Sequence, residues 1–219
     1  MNDKSHKTLP ARCMQCSAPM EYPICCTSCG TLIPPPDGLD FFVMFNLPTR
    51  FDIDEGELHR KYLSLSRNIH PDIVDKSTDQ NRRNSLQLSS MLNRAYETLR
   101  GPVSRAEYLL VLAGGPSPRD DRSVPGDTLA KIMVLRENIE VAQEAGDQVA
   151  LQQIRREVAD HGENTLTEIV RLARALESDA QRDKTMKELR RQLNAMQYWL
   201  NLGEQLPVAC TVGGKGPHD

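Results

Sequence analysis

The chain has 219 residues, of which 26% are charged and 39% hydrophobic, with a formal net charge of −3. That balance excludes a global field steering the protein to nucleic acid or to an anionic membrane, and the length suits one large domain or two to three small ones. No apolar run approaches the roughly 18 residues of a membrane span, and MNDKSHKTLP lacks the apolar stretch of a secretory signal.

A soluble, cytoplasmic protein is therefore expected, with its cysteines in a reducing compartment where metal ligation outranks disulfides. Aromatic residues are only 5% of the chain and alternating apolar runs are few, which argues against a β-rich fold and for an all-α one.

Residues 1–12 carry no periodicity and are expected to be a disordered N-terminus. Residues 13–37 hold five of the six cysteines. Cys13-Met14-Gln15-Cys16 and Cys26-Thr27-Ser28-Cys29 are two CxxC pairs, each suited to a tight knuckle that aims two thiolates at one ion. Together they supply the four thiolates that Zn²⁺ takes in closed structural sites. Gly30 fits the left-handed turn that follows such a pair. Cys25 could replace Cys26, though the CxxC spacing favours Cys26. So short a segment builds no core of its own, and metal binding would supply most of its folding free energy, roughly 10 kcal/mol or more. The competing reading is a reactive or disulfide-forming thiol pair, but the strand–helix setting of a thioredoxin-type motif is missing. Pro34-Pro35-Pro36 then reads as an extended spacer.

Residues 38–113 form the next unit. Phe41, Phe42 and Phe45 open it on a short helical spacing that Asn46-Leu47-Pro48 breaks. Asp52 or Asp54 can cap the following helix, with Glu55 and Glu57 in its first turn favoured by the dipole; these carboxylates read as helix-end residues before acid–base groups. Leu58, Tyr62, Leu65 and Ile69 make one apolar stripe, and Leu88, Leu92, Tyr96 and Leu99 make another on a helix expected from about Gln80. With DIVDKSTDQN as the loop between them, the two helices should form an antiparallel hairpin. Gly101-Pro102 stops the second helix, and SRAEYLLVLAG gives one more.

Residues 114–127 are polar and rich in Gly and Pro, a linker. From Thr128 to about Leu202 three stripes follow: Ile132, Leu135, Ile139 and Ala142; Leu151, Ile154 and Val158, continuing through Leu166, Ile169, Ala173 and Leu176; and Met186, Leu189, Leu193, Met196 and Leu200. They predict a three-helix bundle, with His161-Gly162 expected to kink or split the middle helix. Residues 203–219, with the lone Cys210, are expected to be a flexible tail.

His70-Pro71-Asp72 ends the first long helix of the hairpin. The proline alone explains the stop. Yet Arg60, Ser64 and Arg67, with Lys61 and Asn68 beside them, form a basic helix face leading into it. Neither a nucleophile with a base nor a phosphate-binding loop accompanies the motif, so no catalytic residues are assigned. A presented loop beside a charged face suits protein docking.

At this point the residues resemble a known family. FFVMFNLPTRFDIDEGELHRKYLSLSRNIHPD followed by LNRAYETLRGPVSRAEYLL is similar to the J domain of the HscB co-chaperones of iron–sulfur cluster assembly, and LAKIMVLRENIE resembles the opening of that family's C-terminal bundle. Some members also carry a leading tetracysteine segment. The resemblance implies that His70, Pro71 and Asp72, with Arg60, Lys61 and Arg67, dock a DnaK/HscA-class chaperone and stimulate its ATPase. It further implies that Leu129, Met133, Glu137 and Tyr198 bind an IscU-type scaffold. Ala130, Val134 and Val141 depart from the pattern, standing where the family often has Met and two acidic residues. For Leu129 and Met133 the competing reading is ordinary bundle core. Cys13, Cys16, Cys26 and Cys29 are expected to hold structural zinc, with self-association as a further expectation. The other functions to weigh are a general J protein for unfolded clients, a zinc-ribbon adaptor and a thiol oxidoreductase.

Overall fold

Seven helices account for most of the computed structural model, which describes residues 12–35, 38–70, 79–177 and 181–207. Among these residues the only β-type pairing is two isolated bridges, Arg12 with Pro19 and Cys25 with Leu32. The fold is all-α, as the composition suggested. The chain divides into two compact units, with the division between Ala113 and Gly114.

In the first unit, α1 (Phe41–Met44) is capped by Asp40, whose carboxylate accepts from the Phe42 N–H. Asn46, at a φ of +49°, turns the chain away after it. Asp54, not Asp52, caps α2 (Glu55–Ile69) by accepting from the Glu57 N–H at 3.0 Å. α2 pairs with α3 (Asp79–Arg100), which begins slightly before the expected start, so Asp79 and Gln80 belong to the helix and not to the loop. The pairing is antiparallel: Tyr62 donates to Asn93 and stacks on Tyr96, while the Ser85 hydroxyl donates to the Ile69 carbonyl. Leu58, Leu65 and Ile69 meet Leu88, Leu92, Ala95 and Leu99 in the buried seam.

Gly101 precedes α4 (Pro102–Leu112), which has its proline at the N1/N2 position, where the missing N–H costs nothing. Both α1 and α4 pack on α3. Arg105 of α4 is almost fully buried, yet its guanidinium is well used. It donates to the Phe51 carbonyl, the Arg100 carbonyl and Glu55, and lies 5.2 Å over the Phe51 ring. This side chain ties α4 to the start of α2.

The second unit is built on α5 (Thr128–Glu144), α6 (Gln148–Ala175) and α7 (Arg182–Gln205). Gly146, at a φ of +65°, ends α5 with a 6→1 hydrogen bond from the Asp147 N–H to the Ala142 carbonyl. Asp147 then caps α6 through the Val149 and Ala150 N–H groups, so one residue closes one helix and opens the next. Contrary to expectation, α6 runs unbroken through His161 and Gly162. His161 stacks on Trp199 at 4.7 Å, which anchors it to α7, and a single helical Gly costs only about 1 kcal/mol.

Ile132, Leu135, Ile139 and Ala142 of α5 close over Leu151, Ile154 and Val158 of α6 and Trp199 and Leu202 of α7. Leu200, assigned to the core on spacing, is 51% exposed; Trp199 takes its place, one residue earlier. Helix α7 also continues to Gln205, past the expected end near Leu202. Beyond the reach of α5, residues 116–123 run along α7. The Arg190 Nε–H donates to the Pro116 carbonyl, and the Asn194 amide donates to the carbonyls of Asp121 and Ser123. This stretch was expected to be a linker and is bonded like a strap.

Candidate functional site

The cysteine segment is an internal repeat. Ser17 N–H donates to the Cys13 carbonyl and Cys13 N–H to the Ala18 carbonyl. Thirteen residues on, Gly30 N–H donates to the Cys26 carbonyl and Cys26 N–H to the Thr31 carbonyl. Both bridges obey the same offset. Gly30 has a φ of +73° and Ser17, its counterpart, a φ of +58°. Ser17 was missed from the sequence, although its place after Cys16 matches that of Gly30 after Cys29.

The two knuckles bring the sulfurs of Cys13, Cys16, Cys26 and Cys29 within 4.8 Å of one another. Cys13 and Cys29 sulfurs are 3.7 Å apart, as are those of Cys16 and Cys26. A tetrahedron of thiolates at about 2.3 Å from Zn²⁺ has an edge of roughly 3.8 Å, so the set can hold a metal ion of that kind. The electrostatics also distinguish the two candidates for the fourth ligand, Cys25 and Cys26. Burial pushes the Cys25 thiol up to about 12, with Cys26 and Glu21 adding to it. Cys26 is instead lowered by the backbone amides of Cys29 and Ser28. Cys29 falls to about 6 under the Thr31 hydroxyl and then the Thr31 amide. At Cys16 the Ala18 amide acts to lower the value, but the neighbouring thiols, Cys29 foremost, and desolvation carry it up to about 12. A bound cation would favour the thiolate at all four positions together, including Cys16, which its neighbours otherwise keep protonated. Cys26, and not Cys25, completes the set.

His70 lies exposed at the end of α2, where its backbone turns extended (φ −62°, ψ 133°) as a residue before proline does. Pro71 and Asp72 lie outside the described residues. Arg60 and Arg67 are exposed on α2, with Arg60 3.9 Å from Asp54. Lys61 differs from them. Its ammonium is 2.7 Å from Glu57, donates to the Asn46 carbonyl, and its side chain is only 17% exposed. The structure therefore spends Lys61 on joining α2 to the turn after α1. A network stiffens the flank of the hairpin: Tyr62 and Tyr96, one from each predicted stripe, stack at 4.1 Å, and His59 Nδ1, outside the stripes, is 2.9 Å from the Tyr96 hydroxyl. The place of His59 in it was signalled only by its i, i+3 spacing to Tyr62.

On α5, Leu129, Met133 and Glu137 recur every four residues opposite the buried stripe. All three are exposed, Met133 by 72%, so neither apolar residue is bundle core. Ala130, Val134 and Val141 lie on the same outer face, also exposed. Tyr198 is exposed on α7. No helix among the described residues is long and apolar enough to cross a membrane.

Comparison with known proteins gives these features a setting. Residues 124–207 match the family model described as the HSCB C-terminal oligomerisation domain. The chain is 32% identical over 150 residues to the iron–sulfur cluster co-chaperone protein HscB homolog of Arabidopsis thaliana, covering 68% of this chain but only 58% of that relative. It is 34% identical over 131 residues to the co-chaperone protein HscB homolog of Chromobacterium violaceum, covering 59% of this chain and 74% of that protein. The crystal structure of human co-chaperone protein HscB superposes with a TM-score of 0.70 at 27% identity, over 89% of this chain and 96% of that one. The all-helical architecture, the J-type hairpin and the C-terminal bundle agree with these likenesses, and the chain belongs to the HscB family of co-chaperone proteins.

Proposed function

We propose that this protein stimulates the ATPase of a DnaK/HscA-class chaperone through the tip of the α2–α3 hairpin and presents to it an IscU-type scaffold of iron–sulfur cluster assembly. The observation that carries the reading is the exposed His70 at the end of a hairpin stiffened by the Tyr62–Tyr96 stack, with Arg60 and Arg67 exposed on the helix that leads to it. A rigid helix pair loses little entropy on docking, and exposed arginines steer it to an acidic surface. His70, Pro71, Asp72, Arg60 and Arg67 then make the chaperone contact, with Lys61 holding the face in shape from behind. The protein itself hydrolyses nothing; it biases the conformational populations of its partner.

Leu129, Met133 and Glu137, with Tyr198, receive the scaffold, and the exposed Val134 and Val141 make this surface more apolar than an acidic version would be. A second copy of this chain joins the partners, in keeping with the oligomerisation domain that residues 124–207 match. Zn²⁺ is the ion that Cys13, Cys16, Cys26 and Cys29 hold; it supplies a closed structural crosslink between the two knuckles.

Steady-state ATPase of a DnaK/HscA-class chaperone tests the central claim. The wild-type protein should raise the rate, His70→Gln should abolish the increase, and an IscU-type scaffold should raise it beyond either component alone. Equal stimulation by wild type and His70→Gln would sink the proposal.

A further inference from the structure

Among the exposed apolar side chains of the second unit, the outer face of α5 concentrates Leu129, Met133, Val134 and Val141 on one helix. The opposite face of that helix is used by the bundle core, so this second stripe has no partner among the described residues of the unit. Its spacing, 129, 133 or 134, 137, 141, is that of a helix seam built on alternating steps of three and four. A solvated helix has no need of such a stripe. From it we infer that the outer face of α5 is also the contact between two copies of this chain, so that self-association and scaffold binding exclude each other. The scaffold half of this inference rests on the function proposed above.

A second copy is the occupant that the observations favour, and they favour it antiparallel. The matched segment is described as an oligomerisation domain, and among its described residues α5 carries four exposed apolar side chains, Leu129, Met133, Val134 and Val141. Charge sets the direction. Glu137, Glu140 and Glu144 crowd the C-terminal half of α5, where the helix dipole disfavours them. An antiparallel partner places the positive N-terminal end of its own α5 beside those glutamates. About a twofold axis near Glu137, Met133 meets the Val141 of the second copy, and Arg136, on the same flank as Glu140, faces the Glu140 of the second copy. A parallel pair would set each glutamate against itself. The axis leaves Glu137 near its own counterpart, a like-charge pair that weakens the contact. Size limits it too: a helix of 17 residues is about 25 Å long, and one face of it falls short of the roughly 800 Å² per partner of a standard interface. The association is therefore weak and yields to a partner with a larger footprint. A reservoir of self-associated chains would keep the apolar stripe covered until scaffold arrives.

Sedimentation velocity on the full chain across a concentration series, with and without an IscU-type scaffold, tests this. The expected result is a monomer–dimer equilibrium that scaffold dissolves into one-to-one complexes. Met133→Glu, at a residue already 72% exposed and so safe for folding, should weaken both self-association and scaffold binding by about tenfold or more. Glu137→Gln should separate them, tightening self-association as the like-charge pair is removed while weakening scaffold binding. A protein that stays monomeric at every concentration overturns the inference. So does Met133→Glu that still dimerises, whatever its scaffold binding. Met133→Glu that no longer dimerises but binds scaffold normally overturns the shared face and places the failure in the scaffold reading. Dimers that persist in the scaffold complex overturn the exclusion.

Discussion

Tyr108 shows how one side chain can hold several segments. Its hydroxyl accepts from the Phe41 N–H at 2.9 Å and donates to Asp40 at 3.2 Å, while its ring stacks on Phe41 and Phe42. Asp40 in turn caps α1 and accepts from Thr49. Burial, opposed by the Phe41 amide and helped by the nearby Asp40 charge, holds the phenol well above its ordinary value. The sign follows directly. Above about pH 10 an unfolded chain releases this proton and the folded chain keeps it, so the stability it contributes is whole below that pH and is lost as pH rises further. Tyr108→Phe keeps the rings stacked and loses the hydroxyl bonds, an expected cost of about 1 kcal/mol near neutrality. Thermal melts followed by circular dichroism should show the gap between wild type and Tyr108→Phe narrowing as pH is raised past 10. A constant gap would mean that the hydroxyl contributes nothing through its proton.

The elements show what periodicity reveals and what it conceals. Leu58, Leu65 and Ile69, and likewise Ile132, Leu135, Ile139 and Ala142, are buried as their spacing implied, because a stripe on a regular helix leaves little choice of inner face. Where two faces of a helix are both covered, spacing fails. Helix α7 is buried over a wide arc, by α6 and α5 on one side and by the 116–123 strap on the other, so Leu200 looked as good as Trp199. The strap itself was invisible: it is held by side chains donating to backbone carbonyls, and a carbonyl has no letter in the sequence. Lys61 was expected on the docking face, and its structural bond stayed hidden for the same reason, since one of its acceptors is the Asn46 carbonyl. The cysteine set, by contrast, was legible outright, because ligand identity and spacing are the chemistry. Asn194 tests the strap. Its amide donates to two carbonyls at 2.9 Å, so Asn194→Ala should cost about 1–2 kcal/mol in urea unfolding followed by the fluorescence of Trp199. A loss below a few tenths would mean that the strap adds nothing to the bundle.

At the scale of the whole chain, each unit has its own core, and among the described residues only the first holds a cysteine set able to bind a metal ion. Domains with separate cores unfold separately unless a large apolar interface couples them. The sequence supplies a reporter for the second unit alone, because Trp199 is its single tryptophan and sits in the bundle core against His161. The knuckle segment, in contrast, would depend on a bound ion, since a structural zinc site can supply roughly 10 kcal/mol. Stripping the metal with a chelator under reducing conditions should release four thiols to a thiol reagent, in addition to any that react in the loaded protein. It should lower the melting temperature of the first unit as seen by circular dichroism. The Trp199 fluorescence transition should stay within about 2 °C of the loaded protein, less than 1 kcal/mol for a unit of this size. A larger shift would show that the metal stabilises the bundle as well. Fast thiol reaction in the loaded protein at Cys13 and Cys26, both nearly fully buried, would remove the metal centre from the description altogether.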